Sequence, residues 1–337
     1  MAVFQEVDSA ETTAIAEAIL AGRRRELARA ITMIESTRPD HRMSAEALMD
    51  RLQPHSGQSF RLGISGVPGV GKSTFIEALG LHLIKRGHRV AVLAVDPSSP
   101  KSGGSILGDK TRMETLSRQR DAFIRPSPAG GTLGGVARRT HEVIIATEAA
   151  GFDVVLVETV GVGQSETAVV GLTDMFLLLL APGAGDDLQG IKKGIVELAD
   201  LIAVNKADGD LRAAAERAKL DYSSALHLLR PQSTAWQPRV MTCSASEGTG
   251  VSDVWDAVLE FQRLRTESGQ LLSRREEQAA AWMWDEISEA LLQDVRYHTA
   301  TQSLVFELEG DVRAGKLGAT AAARRIIRQF LGYSDRA

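Results

Sequence analysis

A glycine-rich segment around residue 70 limits the possible folds of this chain more than any other feature. It matches the spacing G-x-x-x-x-G-K-[ST], in which glycines let backbone N–H groups surround phosphates, the lysine reaches the outer phosphates and the hydroxyl binds Mg²⁺. An apolar run, 62–65, precedes it and a helix-like run, 74–84, follows it, which disfavours a chance match. The predicted phosphate-binding loop is Gly66-Val67-Pro68-Gly69-Val70-Gly71-Lys72-Ser73, with Thr74 continuing into the helix.

Short β-type runs alternate with helix-like runs from about residue 60 onward. This alternation predicts an α/β fold, in which right-handed crossovers build a mainly parallel sheet with helices on both faces. Several runs are apolar almost throughout, as expected for strands covered on both sides, and ligands of such sheets bind at the carboxyl ends of the strands. The predicted strands are 61–65, 89–95, 154–157, 175–180, 201–205 and 240–243.

Acidic residues follow two of these strands. Asp96 comes directly after 89–95, with Asp109 further along, and Glu158 comes directly after 154–157. Carboxylates at strand ends beside a phosphate loop are natural partners of Mg²⁺ or of the attacking water. Glu158 is followed by Gly161, whose N–H can contact a γ-phosphate, so hydrolysis would move this loop.

Base recognition is predicted by the sequence Asn205-Lys206-Ala207-Asp208 after the strand 201–205. An aspartate accepts two hydrogen bonds from the N1–H and 2-amino groups of guanine, which adenine cannot supply. The motif therefore favours GTP over ATP. After the last strand, Ser244, Ala245 and Ser246 can offer a backbone N–H to the guanine carbonyl oxygen.

Charge and cysteine content narrow the function classes. The chain has 39 lysines and arginines against 43 acidic residues, a net charge of −4 that argues against a dedicated nucleic-acid binder. The single cysteine, Cys243, excludes an internal disulfide framework and fits a reducing compartment. We find no signal peptide and no membrane-spanning stretch, so no membrane partner is expected. The expected location is the cytoplasm, or the mitochondrial matrix after removal of a transit peptide.

Three regions are expected along the chain: a helical extension, 1–56, a nucleotide-binding domain, 57–265, and a helical arm, 266–337. Gly22 is the predicted stop between two N-terminal helices, whose apolar stripe is interpreted as packing rather than as a binding surface. The arm carries Trp282 and Trp284 at helical spacing, with 304–306 as a possible β-type bridge. It would be either a lid or, preferentially, an oligomer contact.

With these motifs in hand, the sequence resembles the MeaB/ArgK family of GTPases. Members are accessory chaperones of adenosylcobalamin-dependent methylmalonyl-CoA mutase and related acyl-CoA mutases. The likeness covers nearly the whole chain, and its long Asp-Pro-Ser-Ser and Gln-Gly-Ile-Lys-Lys-Gly segments are more family-specific than the phosphate loop. The matching segments are 63–74, 94–113, 125–139, 153–164, 181–194 and 205–208.

The resemblance implies a P-loop G domain, a homodimer built largely by the C-terminal helices, and GTP hydrolysis to GDP that gates cofactor delivery. It also implies that Mg²⁺ is held by Ser73, Asp96, Asp109 and Glu158. A further switch would contain Gln189, Lys192 and Lys193. The residues expected to take part in hydrolysis are Lys72, Asp109, Glu158 and Gln189.

Two alternatives to a mutase chaperone stay open on the sequence: a nickel metallochaperone GTPase and a transport-associated kinase or ATPase. A nickel chaperone would be expected to show a histidine-rich tract or paired cysteines, whereas the seven histidines are scattered. The chain also lacks an Asp-x-His-x-x-Gly motif, so it is not expected to hold cobalamin itself. It departs from some dimeric relatives in having Val67 where they have a lysine.

Overall fold

The structure is a computed structural model that describes residues 10–36, 38–95, 113–126, 133–159, 165–183, 193–227, 235–298 and 301–332. The chain divides into two compact units, Met1–Arg275 and Glu276–Ala337. The N-terminal helices belong to the same unit as the sheet.

A seven-stranded parallel sheet forms the centre of the first unit and confirms the predicted α/β fold. Its strand order is β3-β2-β4-β1-β5-β6-β7, with every neighbouring pair parallel. Because β1 lies between β4 and β5, the phosphate loop that follows it is placed in the middle of the carboxyl edge. The strands are β1 (Phe60–Gly66), β2 (Val90–Val95), β3 (Ala122–Arg125), β4 (Val154–Thr159), β5 (Met175–Leu180), β6 (Leu201–Val204) and β7 (Arg239–Thr242).

The strand predictions were right for six strands and missed β3. This edge strand has only four residues, Ala-Phe-Ile-Arg, and therefore lacks a long apolar run. Its last two residues are only half-buried. The bridge predicted at 304–306 was wrong, because these residues lie inside a helix, Gln302–Arg313. Val305 and Phe306 belong to residue types that prefer strands, but the helical residues on both sides override this preference.

Three helices precede the sheet: α1 (Ala10–Leu20), α2 (Arg24–Ile34) and α3 (Pro39–Leu52). Gly22 separates the first two with a φ of +72°, a left-handed conformation that ends helices, as predicted. Leu27, Ile31 and Ile34 of α2 are buried, so the apolar stripe is a packing surface. Glu35, just after α2, pairs with Arg125 at the end of β3 and ties the extension to the sheet.

The remaining helices of the first unit cover the sheet and enclose its core. The core includes side chains that are at most 1% exposed, namely Phe75 and Ile76 on one helix and Trp255 and Phe261 on another. Gly80 lets Leu116 approach closely, since a Cβ at Gly80 would lie 2.6 Å from a methyl carbon of Leu116. These helices are α4 (Lys72–Lys85), α5 (Glu114–Ser117), α6 (Leu133–Ala149), α7 (Ser165–Leu172), α8 (Lys193–Leu198), α9 (Arg212–His227) and α10 (Val251–Glu267).

Buried ion pairs hold the amino edge of the sheet, opposite the phosphate loop. Arg61 of β1 donates to both oxygens of Glu148 at 2.7 and 2.9 Å, and both side chains are buried. Burial opposes ionisation of Glu148, yet the hydrogen bonds and positive charge of Arg61, together with hydrogen bonds from Ser59 and Gly57, outweigh it and lower the pKa of this carboxyl. Arg275 donates to both oxygens of Asp174 at 2.7 Å and to the carbonyl oxygens of Gly57 and Ser59 at 2.6 Å.

The second unit is helical. Helix α11 (Gln270–Tyr297) starts in the first unit and continues into the second, followed by α12 (Gln302–Arg313) and α13 (Ala319–Phe330). Several large apolar side chains of this unit are exposed, among them Trp284 at 63% and Phe306 at 84%. Within the described ranges, none of the helices has the length and apolar character needed to cross a membrane.

Candidate nucleotide site

The phosphate loop runs from the end of β1 to the start of α4 and depends on two glycines. Gly71 has a φ of +92°, and a Cβ there would lie 2.7 Å from Asn205 Nδ2. A Cβ at Gly66 would lie 2.5 Å from the carbonyl oxygen of Leu179 on β5. Any side chain at either position would therefore displace the backbone of the loop or its neighbours.

Lys72 is the first residue of α4 and its ammonium group lies over the loop. Its Nζ donates to the carbonyl oxygen of Gly66 at 2.6 Å and lies 3.5 Å from that of Val67. The first N–H groups of this 14-residue helix have no partner within the helix, and the helix dipole adds partial positive charge there. The loop thus combines a lysine and a helix N-terminus, an arrangement suited to binding phosphates.

Asn205 joins three loops at the carboxyl edge. Its Nδ2 donates to the carbonyl oxygen of Val70 at 2.9 Å, and its Oδ1 accepts from the N–H of Ala245 at 3.0 Å. Lys206 adds a second link, because its Nζ donates to the carbonyl oxygen of Gly69 at 2.7 Å. Lys206 also has a φ of +60°, an uncommon conformation for a residue other than glycine and one that concentrates at functional sites.

Asp208 lies beside the loop after β7. Its Oδ2 accepts hydrogen bonds from the hydroxyls of Ser244 and Ser246, the latter at 3.2 Å. The N–H of Ser244 donates to Thr249 and that of Ala245 donates to Asn205. Two of the three N–H groups predicted to meet guanine are therefore engaged within the protein, which leaves that of Ser246.

Cys243, at the start of this loop, is a structural residue. It is buried, and burial raises the pKa of its thiol to about 12. Its Sγ lies 3.7 Å from Asn205 Oδ1, within reach of a weak S–H hydrogen bond. A protonated, enclosed thiol is neither a nucleophile nor a metal ligand at neutral pH.

Glu158 reaches the same edge from β4. It is paired in register with Ile64 of β1, and it is buried. The next residue, Thr159, donates from Oγ1 to Ser65 Oγ at 2.8 Å, and both hydroxyl groups are fully buried. This bond holds the end of β4 against the strand that leads into the phosphate loop.

The structure brings together the phosphate loop, Glu158, the Asn205–Asp208 segment and the Ser244–Ser246 loop, but other predicted residues lie outside its described part. No cluster of three or more His, Cys, Asp or Glu residues that could hold a metal occurs within the described ranges. Ser73 and Glu158 provide a hydroxyl and a carboxylate, the hard oxygen ligands that suit Mg²⁺. The predicted residues outside the described part are Asp96, Asp109, Gly161, Gln189 and Lys192, and nothing is described of the side chain of Lys193.

Sequence reasoning missed one residue that shapes the site. Glu77 of α4 accepts hydrogen bonds from the backbone N–H groups of Thr115 at 2.7 Å and Leu116 at 3.3 Å. It thereby holds the short helix α5, which follows the segment containing Asp96 and Asp109 in the sequence, against α4. A glutamate in the middle of a helix resembles an ordinary solvated residue, so the sequence carries no signal for this role.

Comparisons with known proteins identify the family to which the chain belongs. The model of the family described as "Methylmalonyl Co-A mutase-associated GTPase MeaB" matches residues 27–300, which include every part of the site described above. The GTPase ArgK of Escherichia coli is 52% identical over 271 residues, covering 80% of this chain and 82% of its own.

Two further matches cover more of the chain. The mitochondrial methylmalonic aciduria type A homolog of Mus musculus is 48% identical, covering 93% of this chain and 78% of its own. A crystal structure described as an LAO/AO transport system kinase superposes with a TM-score of 0.74 at 38% identity, covering 96% of this chain and 99% of that one. On the extent of the family match and the identity of these relatives, the chain belongs to the MeaB family of GTPases.

Proposed function

We propose that this GTPase gates the delivery of adenosylcobalamin to methylmalonyl-CoA mutase or a related acyl-CoA mutase. The observation that carries the proposal is the family match over residues 27–300, which spans the phosphate loop and the segments 205–208 and 244–246 that we propose bind the guanine nucleotide. The 48% identity to the mouse methylmalonic aciduria type A homolog supports the same role. The nickel-chaperone alternative gains no comparable support from any described residue, and the transport-kinase alternative is supported only by the description of one matching crystal structure.

Within this proposal, catalysis depends mainly on positioning and charge, because phosphoryl transfer needs little covalent help from the protein. Lys72 would stabilise the charge that develops on the phosphoryl oxygens, and Asp208 would select guanine. Ser73, Asp96, Asp109 and Glu158 are the proposed holders of Mg²⁺. When bound, this ion would neutralise phosphate charge.

Coupling to the mutase is proposed to pass through the segment 186–194, which contains Gln189 and Lys192. It carries Lys192 and Lys193 beside a glycine-rich turn, the composition of a loop that reorders at low cost. The alternative is an ordinary helix N-terminus with solvated lysines, and α8 begins at Lys193. If nucleotide and mutase bias the same loop, each must change the affinity of the other by the same factor.

The experiment measures GTP hydrolysis with and without an acyl-CoA mutase. We expect the mutase to stimulate the wild-type protein, and the double variant Gln189→Ala/Lys192→Ala to bind GTP nearly normally while losing most of the stimulation. A matched surface variant, Gln53→Ala/Lys85→Ala, replaces the same residue types at exposed positions and should respond as wild type. Equal stimulation in all three proteins would remove the loop from the mechanism, and no stimulation of the wild type would contradict the chaperone proposal.

The arm is proposed to form a homodimer contact. Helix α11 exposes several large apolar side chains, including those of Trp284, which is 63% exposed, and Leu291, which is 51% exposed. A contact with a second copy of the chain would remove them from water. Replacing both with glutamate should give a monomer in sedimentation velocity experiments, because charges at the centre of an apolar contact lose hydration without gaining partners. As a control, Leu220→Glu changes a similarly exposed leucine of α9, at 66%, and should leave the assembly unchanged. A double variant that sediments with the same mass as wild type would exclude this face.

A further inference from the structure

The carboxylate of Asp208 is already partly occupied by the protein's own hydroxyl groups. Ser244 Oγ and Ser246 Oγ both donate to Oδ2, the second at 3.2 Å. Among the described residues, no hydrogen bond is seen to Oδ1. The two hydroxyl oxygens are 3.1 Å apart, so both serines converge on one side of the carboxylate.

The number of lone-pair positions on the carboxylate of Asp208 decides whether guanine must displace a serine hydroxyl. Each carboxylate oxygen has two lone-pair positions, and two donors on Oδ2 fill both of them. Guanine presents two donors side by side, N1–H and the 2-amino group, and a planar bidentate contact needs one position on each carboxylate oxygen. One serine must therefore release Oδ2 before guanine can bind with both donors.

Ser246 is the serine that can leave. Ser244 is 1% exposed, its N–H donates to the carbonyl oxygen of Thr249 at 2.9 Å, and its Oγ accepts the N–H of Glu247 at 3.3 Å. Ser246 is exposed and, apart from its bond to Asp208, its hydroxyl contacts only that of Ser244 among the described residues. Rotation about χ1 would return its hydroxyl to water at little cost.

We propose that Ser246 is a displaceable placeholder that occupies a guanine-binding position on Asp208 until the base binds. Ser244 keeps the carboxylate oriented in both states, whereas Ser246 competes with the base and weakens the binding of guanine nucleotides. The inference rests on the assignment of Asp208 as the guanine-reading residue. It gives this site a built-in means of lowering nucleotide affinity and favouring exchange without a change of fold.

The test compares GDP with IDP, whose base lacks the 2-amino group, in isothermal titration calorimetry. Removing the competing hydroxyl in Ser246→Ala should tighten GDP binding about fivefold, the net effect of one ordinary hydrogen bond. IDP has a single donor and can use Oδ1 alone, so its affinity should change by less than about twofold. Ser246→Thr keeps the hydroxyl and should restore wild-type values for both nucleotides.

The matched control is Ser244→Ala, which removes the orienting hydroxyl and should weaken GDP binding instead. The placeholder is excluded if Ser246→Ala leaves GDP affinity unchanged or weakens it, or if GDP and IDP tighten equally. A wild-type protein that does not prefer GDP to ADP would overturn the assignment of Asp208 itself. That outcome is separate from failure of the placeholder, which would leave guanine preference intact.

Discussion

Replacing Lys72 with alanine is expected to reduce GTP hydrolysis at saturating GTP by at least about 100-fold, the loss seen when one preorganised charge-stabilising donor is removed. The physical reason is the position of its ammonium group at the N-terminus of α4, over the carbonyl oxygens of Gly66 and Val67. No other lysine of the described site can replace it, because the Nζ of Lys206 donates to Gly69 from the guanine side. The measurement is the steady-state rate of phosphate release at saturating GTP.

Lys85→Ala is the matched control for this variant. It removes the same side chain from the opposite end of α4, where Lys85 is exposed, and should leave the rate unchanged. Circular dichroism would show that both variants are folded. A Lys72→Ala protein that hydrolyses GTP within tenfold of the wild-type rate would remove this residue from catalysis.

Replacing Asp208 with asparagine is expected to weaken GTP binding by about 2 kcal/mol or more, or roughly 30-fold, because an amide nitrogen then faces two guanine donors. Xanthine has a carbonyl in place of the 2-amino group, so the same variant should gain affinity for XTP. This reversal is the informative part of the experiment, since simple damage to the pocket would weaken both nucleotides.

Asp210→Asn supplies the control for base selection. Asp210 is exposed in the short 3₁₀ turn Gly209–Leu211, two residues from Asp208. It carries the same charge and should leave the preference for GTP over XTP intact. Calorimetry with both nucleotides measures the two affinities, and unchanged GTP binding in Asp208→Asn would refute the assignment.

Much of the fold could be predicted from the sequence because its signals are local. The apolar runs of β1, β4, β5 and β6 are strands buried on both faces, and such runs are readable without knowledge of their neighbours. The four-residue edge strand β3 lacks that signal, and its position beside β2 is set by tertiary packing. The prediction of a β-type bridge at 304–306 was also wrong because of the surrounding structure. These residues prefer strands, but they lie inside a helix.

The candidate site likewise combines features that local sequence patterns predict with features that depend on tertiary packing. The spacing of the phosphate loop and of Asn205–Asp208 indicates chemistry, because each motif needs its residues at fixed separations. The links between these motifs could not be predicted. The hydroxyl bond from Thr159 to Ser65 joins residues 94 positions apart, and the carboxylate of Glu77 reaches backbone 38 positions away. Such pairs depend on the strand order, which no local pattern specifies.

The second turn of α11 also determines where the nucleotide-binding unit ends. Arg275 donates to Asp174 and to the carbonyl oxygens of the residues just before β1, while Arg274 donates to the carbonyl oxygens of Val170 and Thr173 at the end of α7. Asp174 is fully buried, so a chain ending at residue 265 would leave an unpaired charge inside the protein, at a cost of about 3 kcal/mol or more. The arm therefore cannot be exchanged between relatives as an independent module unless these two arginines stay with the sheet.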